Sequence, residues 1–545
     1  MINLKFVNIG IIVHGSDKMM RINPNFYHLK SYYEFKGNHF KKVNWLPRIL
    51  DPWISVNEIV DQVAQENINV LCLSFFSWNH DKTMMVAKIV KRKFPHIKII
   101  AGGPNLWAHK DENFFIEHSF IDYVVYGDGE EAFSEIIDSI VENRQLKDDQ
   151  AVNIVTKEKK YPFRVFKDLN YQNTSAILSC KKDIKEDVEY FYKKELEVVI
   201  HWERARGCPY KCSFCDWSSG LHHKVTRSKS DWKSEIDFLF SLNMSITPSD
   251  ANWGIFKEDI EITQYAAERG NFYILNLAKL QKDRAFEMSR IIFRENEKKS
   301  NPNQWLKLSF QDLDEDVLNA IERPEIPWIE HKSYILDFVE EFPKAVIIGE
   351  IILGLPNQKR QNLINQFYEF EKVSIQLVFA HLWEVLPNSP AYDEEYQRKY
   401  QIEFKKFTSV IQTFNSIEDI HTSEKNGDAG WTNSTFVIKN NFMDFEDIIF
   451  TKLVARMYGA FKIKDKTFPF SIIENLIIPS LSIEAKRVTV QILKEGIYGI
   501  CEEETGAWYD LETYFMDDNN VKKFLMKYQI ATDIHAMLNI YKKEN

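Results

Sequence analysis

Cysteine is scarce in this chain, with six in 545 residues. That excludes a disulfide framework and suits a reducing compartment. Long apolar runs are missing too: none approaches the roughly 18–20 residues of a membrane-crossing helix. The opening Met-Ile-Asn-Leu-Lys-Phe-Val-Asn-Ile-Gly reads as the first strand of a domain, not as a signal peptide. A cytoplasmic protein with no membrane partner is therefore expected. Positive charge is also short, with 69 Lys and Arg against 79 Asp and Glu for a net −10. This argues against a broad electrostatic grip on nucleic acid. Core material is abundant instead, at 44% apolar and 14% aromatic residues, enough for roughly two to four domains.

Three of the six cysteines stand together. Cys208, Cys212 and Cys215 lie in Glu203–Trp217, directly after the strand-like run Val198–Trp202 and before a helical pattern. Three thiols cannot complete the four-thiolate shell of a structural zinc or a standard iron–sulfur site. They can hold three irons of a 4Fe–4S cluster and leave the fourth open to a ligand. A zinc site completed by a distant Cys or His, and three unconnected buried thiols, are the competing readings. The spacing Cys-x3-Cys-x2-Cys, with Phe214 before the last cysteine, resembles the signature of the radical S-adenosylmethionine (SAM) enzymes. That resemblance implies an open iron chelating SAM and a reduced cluster that splits its carbon–sulfur bond to a 5′-deoxyadenosyl radical. Of the other cysteines, Cys72 lies in the apolar run Val70–Phe76 and reads as a core thiol, while Cys180 and Cys501 suggest no clear role.

Residues 1–142 alternate strand-like and helical stretches: Asn8–Val13, a helix near Val56–Glu66, Asn69–Phe76, helix Lys82–Lys93, Ile97–Ala101, Ile121–Tyr126 and helix Glu130–Val141. Such alternation predicts a doubly wound parallel sheet, with ligands at the strand C-termini. The loops there are Ser77-Trp78-Asn79-His80, Gly102-Gly103-Pro104-Asn105 and Gly127-Asp128-Gly129-Glu130-Glu131, and glycines in such places allow close approach of a ligand. In that order, Ser77-Trp78-Asn79, Gly102-Gly103-Pro104 and Tyr126-Gly127-Asp128-Gly129-Glu130 resemble the cobalamin-binding domain preceding the radical SAM core in one large subfamily. The Asp-x-His-x-x-Gly motif of methionine-synthase-like proteins is absent, since Asp419-Ile-His421 lacks the glycine. The resemblance thus implies Ser77, Trp78 or Asn79 facing the lower side of cobalt, with His80 and His109 as lesser alternatives.

Residues 146–195 read as a charged, solvated connector. From 196 to 395 six strand-like segments recur, Val198–Trp202, Met244–Thr247, Tyr273–Leu277, Trp305–Phe310, Val346–Leu353 and Ile375–Leu382, which suits a partial (β/α)6 barrel with its chemistry at the strand C-termini. The radical SAM resemblance places the methionine amine near Ser249–Gly254, with Asp250 or Asn252 as acceptor, against a plain Asx turn. On the fourth strand Ser309 and Gln311 share a face and could reach SAM. The fifth strand, Gly349–Pro356, resembles the adenine-contact strand and brings in Ile352. Its Glu350 must be paired, metal-bound or protonated if buried. Beside Trp383 on the sixth, His381 and Glu384 are substrate-facing only by position. Residues 396–545 show helical patterns, including Asp444–Phe461 and Ser482–Lys494, and no metal or nucleotide signature; they are expected to form a helical cap.

The predicted class is α/β: a Rossmann-like cobalamin-binding domain (1–145), a connector (146–195), a radical SAM barrel (196–395) and a mostly helical C-terminal domain (396–545). The resemblance implies a 4Fe–4S cluster, SAM and cobalamin, with methyl transfer to an unactivated carbon of a peptide or natural product. It also implies an external flavodoxin- or ferredoxin-type electron donor. Cobalamin used without methyl transfer, for ring contraction, cyclisation or cleavage, and a non-enzymatic cobalamin or metal sensor are the alternatives.

Overall fold

The computed structural model describes residues 1–9, 11–13, 19–51, 54–106, 113–166, 169, 175–218, 224–299, 305–409, 432–503, 505–506 and 508–544. The first strands are β1 (Ile2–Val7), β2 (Ile11–Val13), β3 (Met19–Ile22), β4 (Val43–Trp45), β5 (Val70–Ser74), β6 (Lys98–Gly102), β7 (Tyr123–Val125) and β8 (Ile154–Val155). Six of them form one sheet in the order β4-β1-β5-β6-β7-β8, parallel except for β8 at the edge. Its central strands read as unbroken apolar runs because helices cover both faces. Among these, helix Val56–Gln65 opens on a capping box between Ser55 and Glu58.

The sheet's first strand is Ile2–Val7, inside the opening Met1–Gly10 that reads as a strand, and not the separately expected Asn8–Val13. Leu4, Phe6 and Val7 are buried between their partners on β4 and β5. The later part of the expected strand, β2, turns back on β3 and leaves this sheet altogether. It enters the barrel wall.

That wall uses β9 (Glu197–Trp202), β10 (Ala205–Arg206), β11 (Thr226–Arg227), β12 (Ser245–Pro248), β13 (Trp305–Gln311), β14 (Val346–Leu353) and β15 (Ile375–Leu382). One sheet runs β12-β9-β3-β2 and another β13-β14-β15, while β10 and β11 form a short separate pair. The hairpin from the N-terminal region thus extends the first barrel strand, with Arg21 opposite Val199. The expected strand Tyr273–Leu277 is reduced to single bridges, Ile246 to Phe272 and Trp253 to Leu277. Pro248 ends β12 and has no N–H to continue a ladder.

Helix Phe445–Lys462 packs along the outer side of β15, where Lys452 Nζ donates to Ala380 O at 2.6 Å and the Tyr458 hydroxyl to Ile375 O at 2.7 Å. A helix in this position covers a sheet edge that would otherwise be open. The second expected C-terminal helix also forms, as Ile478–Glu495. Beside them stands a small sheet the sequence did not suggest, β16 (Glu403–Ser409), β17 (Thr432–Lys439) and β18 (Ile497–Tyr498), in the order β17-β16-β18.

The segment expected to be a solvated connector carries helix Lys181–Tyr192, one face of which is core. There Arg48 bridges Asp183 at 2.7 Å and Asp187 at 2.8 Å, and the Tyr27 hydroxyl donates to Asp187 at 2.7 Å. Cys180 is fully buried beside Tyr27 O. Among the described residues no helix is long and apolar enough to cross a membrane.

Candidate functional site: a three-cysteine loop facing a two-domain cavity

The loop after β9 is pinned before it reaches its cysteines. Asp250 Oδ1 accepts the backbone N–H groups of Arg204 at 2.8 Å and Ala205 at 2.9 Å, with Arg227 at 3.5 Å as counter-ion. Burial still pushes the Asp250 carboxyl up to about 7. Asp250 Oδ1 thus holds the loop's backbone, and of the two acceptors expected for SAM, Asn252 is the one with a buried oxygen that has no protein partner. Further on, Ser213 N–H donates to Ile321 O and Ser213 O accepts from Ala391 N–H, both at 2.9 Å. The loop is thus fastened to the exits of β13 and β15.

Cys208 and Cys212 are buried and Cys215 is half-buried, its thiol pushed up to about 11 by burial. Two of these sulfurs receive N–H donors from elsewhere in the barrel: Asn252 Nδ2 lies 3.1 Å from Cys208 Sγ and Lys279 Nζ 3.4 Å from Cys212 Sγ. Such donors suit metal-bound thiolates, which accept hydrogen bonds from an outer shell. Asn252 Oδ1 is buried with no protein partner. Among the described residues no three His, Cys, Asp or Glu side chains gather around a single-ion position. A cluster that spreads its thiolates over separate irons does not require such convergence.

Phe214, Ile352 and Trp383 belong to one small apolar cluster, with Leu355 and Val385. The Trp383 indole N–H is buried there without a partner. Two residues before Ile352 on the same face of β14, Glu350 accepts from the Ser309 hydroxyl and faces Lys307 at 2.9 Å and His381 at 3.5 Å. These partners outweigh its desolvation and hold its carboxyl down to about 2. Glu350 is thus paired and ionised. Gln311 follows a register shift in β13 and has a φ of +67°. Glu384 is raised by burial.

A cavity of about 370 Å³ lies between the first sheet and the barrel strands. From the first sheet come Phe6, Cys72 and Ile100, and from its loops Gly102, Gly103, Pro104, Gly127, Gly129 and Glu130. The barrel contributes His201, Glu203, Arg206, Asp216, Trp217 and Ser249. Gly103 permits the tight passage at its rim, since its φ is +114° and a Cβ there would stand 2.4 Å from Phe75 O. Asp216 directly follows Cys215, and its Oδ1 is buried without a partner. Burial, followed by the nearby Glu384, pushes its carboxyl up to about 7.

Ser77, Trp78, Asn79 and Tyr126 are not among the lining residues. Asn79 accepts from Phe76 N–H at 2.8 Å and donates to Ser74 O at 3.1 Å, which shapes the loop. Trp78 stacks on Phe76 with ring centroids 4.4 Å apart, and Nε1 donates to Ile9 O at 3.2 Å. The Tyr126 hydroxyl donates to Tyr161 O at 2.5 Å. His80 is bonded to Asn105 at 2.7 Å. His109, Asp419 and His421 lie outside the described residues.

His201, Arg206, Asp216 and Trp217 were missed as site residues. For His201 a signal existed: it alternates with Ile200 and Trp202 on β9, so it takes the face opposite the apolar core. Burial, reinforced by Arg21, lowers His201 to about 4, which leaves a neutral imidazole at the cavity.

Residues 38–137 match the family model described as B12 binding domain. The chain is 27% identical over 366 residues to the cobalamin-dependent radical SAM methyltransferase TokK of Streptomyces tokunonensis, covering 63% of this chain and 51% of the relative. It is 28% identical over 334 residues to the 2-(S-pantetheinyl)-carbapenam-3-carboxylate methyltransferase of Streptantibioticus cattleyicolor, covering 59% and 48%. The chain thus spans about half the length of the curated relatives it matches. In fold it is similar to the cobalamin-dependent SAM radical enzyme OxsB, with a TM-score of 0.55, 11% identity and coverage of 97% and 79%. The radical SAM methyltransferase TsrM of Kitasatospora setae aligns with a TM-score of 0.51, 12% identity and coverage of 71% and 74%. Fold and site together define a protein with a B12-binding domain set against a partial barrel. In sequence and in fold the chain is similar to cobalamin-dependent radical SAM enzymes.

Proposed function

We propose that this protein is a cobalamin-dependent radical SAM methyltransferase acting on an unactivated carbon of a peptide or natural-product substrate. One observation carries the reading: the cavity walled by the glycine loops of the B12-binding domain is also walled by Asp216 and Trp217, immediately after the third cysteine. Two cofactor sites that open on one space can act on one substrate.

Cys208, Cys212 and Cys215 would hold a 4Fe–4S cluster, and the glycine loops at 102–103 and 127–129 the cobalamin. When bound, the cluster supplies an electron for SAM cleavage and cobalamin carries the methyl group. The chain's own residues bind, orient and exclude water. Asn252 Oδ1 and the Trp383 indole N–H, both buried and unpartnered, are an acceptor for the SAM amine and a donor beside the adenine contact at Ile352. Phe214 packs the same corner. Lys307, Ser309, Glu350 and His381, on the neighbouring strands β13, β14 and β15, form an ion-paired set that orients substrate. An external low-potential protein is the electron donor, and nucleic acid is not a partner.

The test is anaerobic purification of the full chain with cobalamin and reconstitution with iron and sulfide. Optical spectra and an assay for 5′-deoxyadenosine and S-adenosylhomocysteine follow. Both products together are the expected result. 5′-Deoxyadenosine alone would leave cobalamin without a methyl-transfer role, and a colourless protein that does not cleave SAM would overturn the reading.

A further inference from the structure

The donors to the cysteine sulfurs differ in charge. Asn252 offers Cys208 a neutral amide, whereas Lys279 offers Cys212 a full positive charge at 3.4 Å. The backbone holds Lys279 close by: Trp253 N–H donates to Asn276 O and Ala278 N–H to Trp253 O, both at 2.8 Å. Its ammonium also lies 4.8 Å from the centre of the Tyr210 ring, within the cysteine loop itself. Among the described residues Lys279 has no carboxylate partner. Nearby, Lys282, Arg323 and His331 share the single carboxylate of Glu325, at 3.2 Å, 3.0 Å and 3.1 Å. Lys279 therefore brings its charge to Cys212 directly, while Lys282 and Arg323 are drawn to Glu325.

We propose that Lys279 is a tuning residue that raises the reduction potential of a 4Fe–4S cluster on Cys208, Cys212 and Cys215. The inference rests on the functional reading above. An added electron increases the negative charge shared by irons and thiolates. A hydrogen-bonded cation on one thiolate favours that state more than the oxidised one. One electron enters from the external low-potential donor, and none is drawn from the protein. The consequence is a cluster that a weaker reductant can fill.

The test compares wild type, Lys279→Gln and Lys279→Arg, each reconstituted anaerobically as the full chain and assayed for iron and sulfide. Each is then titrated electrochemically, first without and then with SAM, with the reduced cluster followed by electron paramagnetic resonance. At one fixed potential the reduced-to-oxidised ratio of Lys279→Gln is expected to fall about tenfold, a shift of about 59 mV for one electron. Lys279→Arg keeps the charge and stays within about threefold of wild type. Should Lys279→Gln fail to take up the cluster, an equal fall in Lys279→Met supports the proposal and an unshifted Lys279→Met overturns it. A fully loaded Lys279→Gln that titrates with wild type overturns it as well. A shift seen only with SAM present also overturns it, making Lys279 a ligand of SAM instead. A wild-type chain that binds no four-iron cluster defeats the functional reading itself, and is told apart by its iron content.

Discussion

Arg206 Nη1 lies 2.9 Å from Asp128 Oδ1 and ties the loop after β7 in the B12-binding domain to the segment leading into the three cysteines. Its other nitrogen reaches Glu130 at 2.9 Å and Glu203 at 2.8 Å. One guanidinium therefore joins both domains at the cavity.

Replacing Arg206 by Met leaves several carboxylates without their shared cation. Breaking a buried pair on one side costs about 3–5 kcal/mol, so the urea midpoint of Arg206→Met should fall clearly and the protein should retain less cobalamin. Lysine at this position recovers only part, because a single ammonium cannot span the set. An unchanged midpoint would show that the bridge does not join the domains.

Gly103→Ala forces a side chain onto a left-handed backbone and against Phe75 O. A strain cost of about 1–3 kcal/mol is expected, together with weaker cobalamin binding measured by equilibrium dialysis. Gly496→Ala is the control, since that glycine has a φ of +71° but open space around it. It should lose some stability and no cobalamin.

His201 makes stability depend on pH. Its folded value of about 4 lies below the ordinary value of 6.5, so between the two the unfolded chain takes up a proton that the folded chain refuses. Stability is full above pH 6.5 and declines as pH falls toward 4, by about 2 kcal/mol at pH 5. Urea titrations at pH 7.5 and 5.0 should show this extra loss in wild type and not in His201→Gln. Equal losses would mean that the imidazole is not kept neutral.

Trp383→Phe removes a buried indole N–H that has no partner in the ligand-free chain. Stability should change by less than about 1 kcal/mol, since no existing bond is lost. The dissociation constant for SAM should rise about tenfold, a loss of about 1.4 kcal/mol. Unaltered SAM binding would remove Trp383 from the site.

Local features were legible in the sequence. The cysteine spacing needs only eight consecutive residues, Cys208 to Cys215, and Val346–Leu353 and Ile375–Leu382 have the bounds expected from their apolar runs. The misreadings have a common cause. Asn8–Val13 and Tyr273–Leu277 have strand-like composition, but a strand requires a neighbour with free N–H and C=O groups. Pro248 denies one to the latter segment, and β1 already occupies the slot expected for the former. The charge of Lys181–Tyr192 suggested solvent because its partner Arg48 lies more than 130 residues earlier.

By itself, the sequence determined the residue types for the chemistry and their order: three thiols after a strand, and glycine loops after parallel strands. These depend on near neighbours and backbone freedom. Only the tertiary structure decided that β3 joins the barrel, that Arg206 bridges two domains, that Asp250 holds the backbone of the cysteine loop and that Lys279 faces Cys212. Each is a contact between distant segments. Charges and hydrogen bonds act over a few ångströms of space, whatever the separation along the chain.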